Sequence, residues 1–295
     1  MKYISVKDYA EAHGISERTI RNYCSNGKIA GAFLTGKTWN IPEDIKLPQK
    51  KGSKTKEWAL LKALREQKNM RLKGGIYHKT QIDMTYNSNH IEGSRLTHQQ
   101  TRYIFETNTI GVTEGVMNVD DIVETVNHFK CMDFIIDHAG EKLTENLIKQ
   151  LHLILKTGTS DSQKDWFMVG DYKKLPNEVG GQETCLPKEV HQRMKALLGK
   201  YNAIKEKTLE DILDFHVQFE TIHPFQDGNG RVGRLLMFKE CLNNAIVPFI
   251  ITDELKHFYY QGIREWGHIN GYLTDTCLTA QDQYKAVLDY FDIKY

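Results

Sequence analysis

The residues best suited to chemistry crowd into one stretch, Thr221 to Leu236, which reads TIHPFQDGNGRVGRLL. It sets an imidazole, a carboxylate, a Gly-Asn-Gly run and two guanidinium groups within a few turns of chain. Pro224 disfavours helical geometry at the residue before it, so His223 is predicted to end a helix whose inward face is Ile212, Phe215, Phe219 and Ile222. Gly228-Asn229-Gly230 can turn successive backbone N–H groups into one concavity, the geometry that holds phosphate oxygens, and a new helix is predicted to begin there. Arg231 and Arg234 lie three apart and share a face of that helix. Two cations at a helix N-terminus oppose its macrodipole at about 0.3–1 kcal/mol each, and a polyanionic ligand would reverse that sign. Leu235, Leu236 and Phe238 supply the buried side that aims them, and Asp227 suits a Mg2+ ion shared with phosphate. Taken singly, a histidine before proline is ordinarily structural and paired helical arginines are ordinarily solvated; the combination points to phosphate chemistry. His216 lacks the i, i+4 spacing of zinc-binding helices, and is read with His152 as a core or supporting residue.

The run His223-Pro224-Phe225-x-Asp227-Gly228-Asn229-Gly230-Arg231-x-x-Arg234 resembles the signature HPFx[D/E]GNGRxxR of Fic-domain enzymes, and no position departs from it. The flanking helical pattern resembles that family from about residue 80 to the C-terminus. The resemblance implies a mostly α-helical, Fic-type domain with a small β-hairpin flap. It also implies an activity: transfer of AMP from ATP to a Ser, Thr or Tyr hydroxyl of a protein, the chain itself included. His223 would be the general base, and Asp227 would hold Mg2+ between the α- and β-phosphates. Asn229 and the amides around Gly228 and Gly230 would hold the α-phosphate, Arg231 the departing pyrophosphate and Arg234 the γ-phosphate. Phe225 is read as a packing anchor. The kinase-like relative Doc has an altered glycine segment, so the unaltered one here favours nucleotidyl over phosphoryl transfer. A DNA-binding regulator that only senses nucleotide, an AMP-removing enzyme and a UMP or GMP transferase are the alternative readings.

Further upstream, Ser88-Asn89-His90-Ile91-Glu92-Gly93 resembles the (S/T)xxxE(G/N) inhibitory motif of many Fic proteins. The resemblance implies an inhibitory helix at about 80–93, with Glu92 paired to Arg234 in the γ-phosphate's place, Ser88 supporting it and Gly93 ending the helix. The other reading makes Glu92 a solvated helix-end carboxylate. Gly170 to Lys173 and Leu175 to Pro187 correspond to the flap that aligns a target segment by strand addition in Fic relatives, or else form a surface loop. The nucleobase pocket is expected near Tyr259, Tyr260 and Trp266.

Helices must position all of this. Trp58, Leu61 and Leu64 recur at helical spacing, Thr97 and Thr144 stand where N-caps belong, and Ile148, Leu151 and Leu155 form an apolar stripe. Further helices are predicted near 118–138, 188–204, 208–222, 229–243, 252–266 and 280–292. These fill a domain at 57–295, which a basic linker at 47–56 (LPQKKGSKTK, following Lys46) separates from a small module at 1–46.

In that module Ser5 with Asp8 marks a first helix towards His13 and Gly14, and Ser16 caps a second that turns Ile20 and Tyr23 inward and stops at Gly27. A hairpin is predicted over 31–41, before Pro42. The pattern resembles a winged helix-turn-helix of the excisionase or MerR-like kind, which implies DNA contacts from Arg18, Thr19, Arg21 and Asn22; the same face could instead dock a protein or a second copy. Eleven of the 39 Lys+Arg and five of the 38 Asp+Glu fall within residues 1–56, leaving 28 and 33 beyond, so the module carries +6 and the remainder −5. That asymmetry suits an anionic partner for the N-terminal end.

Composition sets the outer bounds. With 295 residues, 40% hydrophobic and 26% charged, and a mean hydropathy of −0.51, the chain can bury a sizeable core and has no run near the ~20 apolar residues of a spanning helix. Five scattered cysteines without a CxxC pair argue against structural zinc or a disulfide framework. No secretory apolar stretch follows Met1, and a cytoplasmic location is expected. A homodimer is expected on general grounds.

Overall fold

The computed structural model describes residues 2–13, 16–25, 27–36, 38–45, 58–111 and 116–295. Gly14, the predicted linker at 47–56 and the Arg18 side chain lie outside the described residues. The chain divides into two compact units, Met1–Lys56 and Glu57–Tyr295.

In the first unit, α1 (Val6–His13) and α2 (Glu17–Ser25) precede strands β2 (Phe33–Thr35) and β3 (Thr38–Pro42). Ser5 Oγ accepts the Asp8 N–H at 3.2 Å and Ser16 Oγ the Thr19 N–H at 3.3 Å, which satisfies donors that each helix start would leave unpaired. Sequence reading missed β1 (Tyr3–Ser5), a third strand that pairs antiparallel with β3 through Tyr3–Pro42, Ile4–Ile41 and Ser5–Asn40. Three residues are too few to show alternation, so only the partner strand defines it. The sheet order is β1-β3-β2, and Val6, Tyr9, Ala10, Ile20, Cys24, Ile29 and Ile41 form the small core. Arg21 and Asn22 are exposed, with Arg21 bonded to Glu17 at 2.8 Å.

The second unit is built of α3 (Ala59–Met70), α4 (Ile76–Ile91), α5 (His98–Thr107), α6 (Val119–Asp137), α7 (Glu145–Lys156), α8 (Pro187–Ala203), α9 (Leu209–Ile222), α10 (Asn229–Asn243), α11 (Lys256–Glu265) and α12 (Gly271–Tyr290), with a hairpin of β4 (Glu178–Val179) and β5 (Gln182–Glu183) between α7 and α8. Thr97 and Thr144 are N-caps, and Thr97 and Thr208 close full capping boxes with Gln100 and Asp211. The protein is therefore mostly helical with small antiparallel sheets. Among the described residues no helix is long and apolar enough to cross a membrane.

Two boundaries differ from expectation. The last helix starts at Gly271 rather than 280, because Leu273, Thr276, Cys277 and Ala280 keep a buried helical stripe through a stretch whose Gly, Thr and Asp residues argue for a loop. The helix expected at about 80–93 is α4, which runs over 76–91 and leaves Glu92 as its C-cap.

At the centre lies α10. Residues 231–242 are buried all round, and the helix packs against α4, α6, α7 and α9. Val232, Leu235, Leu236, Phe238 and Leu242 belong to one apolar cluster, while Met237 and Cys241 belong to another, so α10 ties the two cores together. Leu235→Ala should destabilise the second unit by about 2–5 kcal/mol, the usual cost of an unfilled core cavity, as read by urea unfolding.

Candidate active site

The site is assembled where α9 ends and α10 begins. Helix α9 stops because His223 enters the left-handed region, φ 50° and ψ 62°, with its N–H still bonded to the Phe219 carbonyl at 2.9 Å. Such a backbone costs a β-carbon-bearing residue roughly 1 kcal/mol or more, and the following loop holds it there. Phe225 is fully buried and stacks on His152 of α7 with ring centroids 3.9 Å apart and planes 3° from parallel. Nε2 of His152 donates to the Asp227 carbonyl at 3.1 Å, while Nδ1 accepts the Gly170 N–H at 3.0 Å. Burial pushes the pKa of this imidazole down to about 3, so it braces the loop as a neutral ring.

Asn229 closes the loop from the other side. Its Oδ1 accepts the Phe225 N–H and its Nδ2 donates to the Phe225 carbonyl, both at 2.8 Å. The side chain expected to hold a phosphate thus also shapes the turn, with one of its two Nδ2 N–H groups engaged there. Gly228 takes the left-handed N-cap position at φ 81°, and the first N–H groups of α10 have no partner within the helix.

The charged side chains form two groups. In the first, Lys156 is 2% exposed and its Nζ lies 2.6 Å from Glu124 Oε1, 2.6 Å from Asp227 Oδ2 and 3.4 Å from Asp161 Oδ2. Arg231 joins Glu124 and also reaches Asp227 Oδ2 at 3.2 Å. Arg231 and Lys156 hold the Asp227 carboxyl far below the usual carboxylate range against the opposing effect of burial, so it is charged at any physiological pH. Neither Lys156 nor Glu124 was singled out from sequence. A lysine sharing the apolar stripe of Leu151, His152 and Leu155 was the available signal for the first; nothing in the pattern of α6 marks Glu124.

In the second group Arg234, itself buried, donates from Nη2 to Glu92 Oε1 at 2.7 Å and to the Ser88 carbonyl at 2.9 Å, and from Nε to Ser88 Oγ at 3.1 Å. Its Nη1 is buried with no hydrogen-bond partner among the described residues. Glu92 reaches this far because Gly230 has no side chain: a β-carbon there would fall on Glu92 Oε1 and lie 3.0 Å from Arg234 Nη1. Gly93, at φ 99°, ends the helix just beyond.

Behind the imidazole sits a carboxyl that sequence reading also missed. Glu220 Oε2 is 3.9 Å from His223 Nδ1, and burial pushes the Glu220 pKa up to about 8 despite the Arg234 charge. His223 itself is driven down to about 4, first by burial and then by the Lys173 ammonium. His216 is a core residue bonded through Nε2 to Tyr259 Oη at 2.6 Å. Tyr259 is therefore buried and unable to offer a stacking face, a correction to the expected nucleobase pocket; Trp266 is tied to Asp214 at 3.2 Å, and Tyr260 alone of the three is 40% exposed.

Among the described residues there is no cluster of three or more His, Cys, Asp or Glu that would cage a metal. Asp227 is a lone carboxylate, which fits the mode in which Mg2+ takes one protein ligand and draws the rest from phosphate and water.

The start of α10 thus leaves backbone amides unpaired within the helix, the same helix carries Arg231 and Arg234, and His223 ends the helix before it. A model of the Fic/DOC family matches residues 142–241, which include the entire His223–Arg234 run, and the chain carries a Fic domain. It is 25% identical over 187 residues to a protein adenylyltransferase Fic from Nematostella vectensis, covering 62% of this chain and 42% of that protein. With the Culex quinquefasciatus protein of the same name the identity is 26% over 182 residues, covering 61% of this chain and 35% of the relative. The chain thus matches less than half the length of these relatives. A Fic-domain-containing signalling protein from Bacteroides thetaiotaomicron superposes with a TM-score of 0.57 and 27% identity, over 78% of this chain and 90% of that one. Fic-1 of Caenorhabditis elegans shares the fold, with a TM-score of 0.59 and 17% identity over 79% of this chain and 72% of that one.

The buried imidazoles set a stability prediction. His128, His152 and His216 have folded pKa values near 3 and His223 near 4, against about 6.5 unfolded, so each takes up a proton on unfolding once the pH is below 6.5. Glu220 and Asp133, both raised by burial, work the other way. Between pH 6.5 and 4.5 the histidines, joined by His78, outnumber these carboxyls, and the unfolding free energy should drop by on the order of 1–3 kcal/mol per unit as pH falls. Urea titrations across that range that gave a flat or rising profile would contradict the assignment of neutral histidines.

Proposed function

We propose that the second unit is a protein adenylyltransferase restrained by its own Glu92. The observation that carries this reading is the pairing of Arg234, on the helix whose N-terminal amides are unpaired, with Glu92 of the same chain at 2.7 Å, while a neutral imidazole ends the preceding helix. The names of the relatives support the choice of adenylyl transfer from ATP.

On this reading the α-phosphate lies against the amides of residues 228–230, Arg231 takes the departing pyrophosphate and Arg234 the γ-phosphate. His223 accepts the proton of an incoming Ser, Thr or Tyr hydroxyl, a task its low pKa suits because the ring is unprotonated at pH 7. The oxygen then displaces pyrophosphate in line at the α-phosphorus. Asp227 would hold Mg2+, which supplies charge neutralisation of the phosphates when bound. The hairpin β4–β5 offers an edge along which a target strand can align. Glu92 holds the guanidinium a γ-phosphate needs, so ATP seats productively only when that pair opens. Self-modification follows if a hydroxyl of the chain, or of a second copy, reaches the cleft. Five free thiols, four of them buried, suit a reducing compartment such as the cytoplasm. The +6 first unit, with Arg21 and Asn22 exposed on α2, supports DNA as its partner.

Incubation with each α-32P-labelled NTP and Mg2+ tests the catalytic reading. Glu92→Gly should raise AMP incorporation more than about tenfold, the factor that 1.4 kcal/mol of competing ion-pair energy supplies. His223→Ala in that background should lower it by about 100-fold or more, and label that persisted would remove the base. For the first unit, duplex DNA affinity of the full chain should fall steeply with salt and weaken further in Arg21→Ala; a salt-independent or absent signal would turn the module into a protein-docking element.

A further inference from the structure

Lys173 lies in the segment between α7 and the hairpin and is 3% exposed. Buried ammonium groups are ordinarily paired with carboxylates, as Lys156 is here. The recorded acceptors of Lys173 are all neutral oxygens: Asn177 Oδ1 at 2.7 Å, Thr184 Oγ1 at 2.6 Å and the Ile222 carbonyl at 3.4 Å. The first two acceptors flank the hairpin, and the third belongs to the peptide group that leads into His223. The main chain repeats the join, since the Lys173 N–H donates to the Pro224 carbonyl at 2.9 Å. Asn177 Nδ2 donates to the Phe225 carbonyl at 3.1 Å, and Thr184 Oγ1 donates to Asn177. One buried cation thus sits at the crossing of two segments that the transfer reaction needs in fixed relation.

We propose that Lys173 is a positioning residue of the transfer site, which pins the β4–β5 hairpin to the loop carrying His223 and brings a cation into the field of the imidazole. This deepens the adenylyltransferase reading and rests on it. The groups that act on His223 come from each neighbouring segment: Lys173 disfavours its proton, while the Glu220 main chain on α9, Asp227 in the loop and Glu92 at the end of α4 favour it. Lys173 is the one cation among these. Burial lowers its own pKa to about 8, countered by the Cys185 thiol, so it is charged at pH 7 and loses the charge in mildly alkaline solution. A lysine that merely filled space would hold the hairpin without moving the titration of the base.

The test uses the full chain with labelled histidines, following His223 by NMR across pH in wild type, Lys173→Met, Lys173→Arg and Thr184→Val, alongside AMP incorporation in the Glu92→Gly background. Lys173→Met should raise the His223 midpoint by about one pH unit, with the acid limb of incorporation moving by the same amount. Lys173→Arg should leave the midpoint in place yet lower incorporation, because a planar fork cannot meet three acceptors disposed around an ammonium. Thr184→Val, which keeps the charge, should leave the midpoint alone and speed amide exchange over 178–183 about tenfold or more. A folded Lys173→Met with an unmoved midpoint overturns the proposal. If that variant does not fold, unchanged hairpin exchange in Thr184→Val overturns it instead. The NMR arm needs no turnover, so a protein that transferred no AMP while Lys173→Met still shifted His223 would defeat the transferase reading and leave Lys173 in its place.

Discussion

The structure depends on burying a charged helix. Helix α10 runs through the middle of the second unit and joins its two apolar clusters, yet carries Arg231 and Arg234 into the interior. A guanidinium removed from water is tolerable only when each charge finds an opposite one and its donors find acceptors. That requirement recruits Glu124 from α6, Asp227 from the loop, and Glu92 with Ser88 from α4. Removing the carboxylate from such a pair strands the cation, so on the proposed reading a polyanion would take over charges that these carboxylates now balance.

Positioning follows from the loop between α9 and α10, where rigidity comes from neutral groups. Asn229 clamps both polar atoms of Phe225, His152 stacks on the Phe225 ring while bonding the Asp227 carbonyl, and neither contact carries a formal charge. Neutral braces can be buried at little cost and do not compete for the anion.

Much of this was legible in the sequence. The helix boundaries at Pro224 and Gly228 and the caps Thr97 and Thr144 are local signals, and local signals survive without tertiary context. The motif at 223–234 did not reveal that Asn229 also braces the turn, because its bonds to the Phe225 main chain exist only once the loop folds back over it. Lys156, Lys173 and Glu220 were out of reach for a different reason. Each is an ionisable residue whose importance comes from burial by distant elements, and a lone Lys or Glu in a sequence reads as solvated. The start of α12 at Gly271 failed similarly, with tertiary burial of Leu273, Thr276 and Cys277 outweighing poor helical propensity.

The position of Glu92 carries one more consequence. Its charge favours protonation of both His223 and Glu220, so the residue that occupies Arg234 also sets part of the field around the imidazole. When a γ-phosphate takes its place at Arg234, negative charge leaves that spot and negative charge arrives there. On the proposed reading the phosphate brings more negative charge than the carboxylate it displaces, so the imidazole becomes more basic, not less, when the pair opens. On that reading restraint by Glu92 would act through occupancy of the guanidinium and of the space above Gly230, where a β-carbon would fall on Glu92 Oε1.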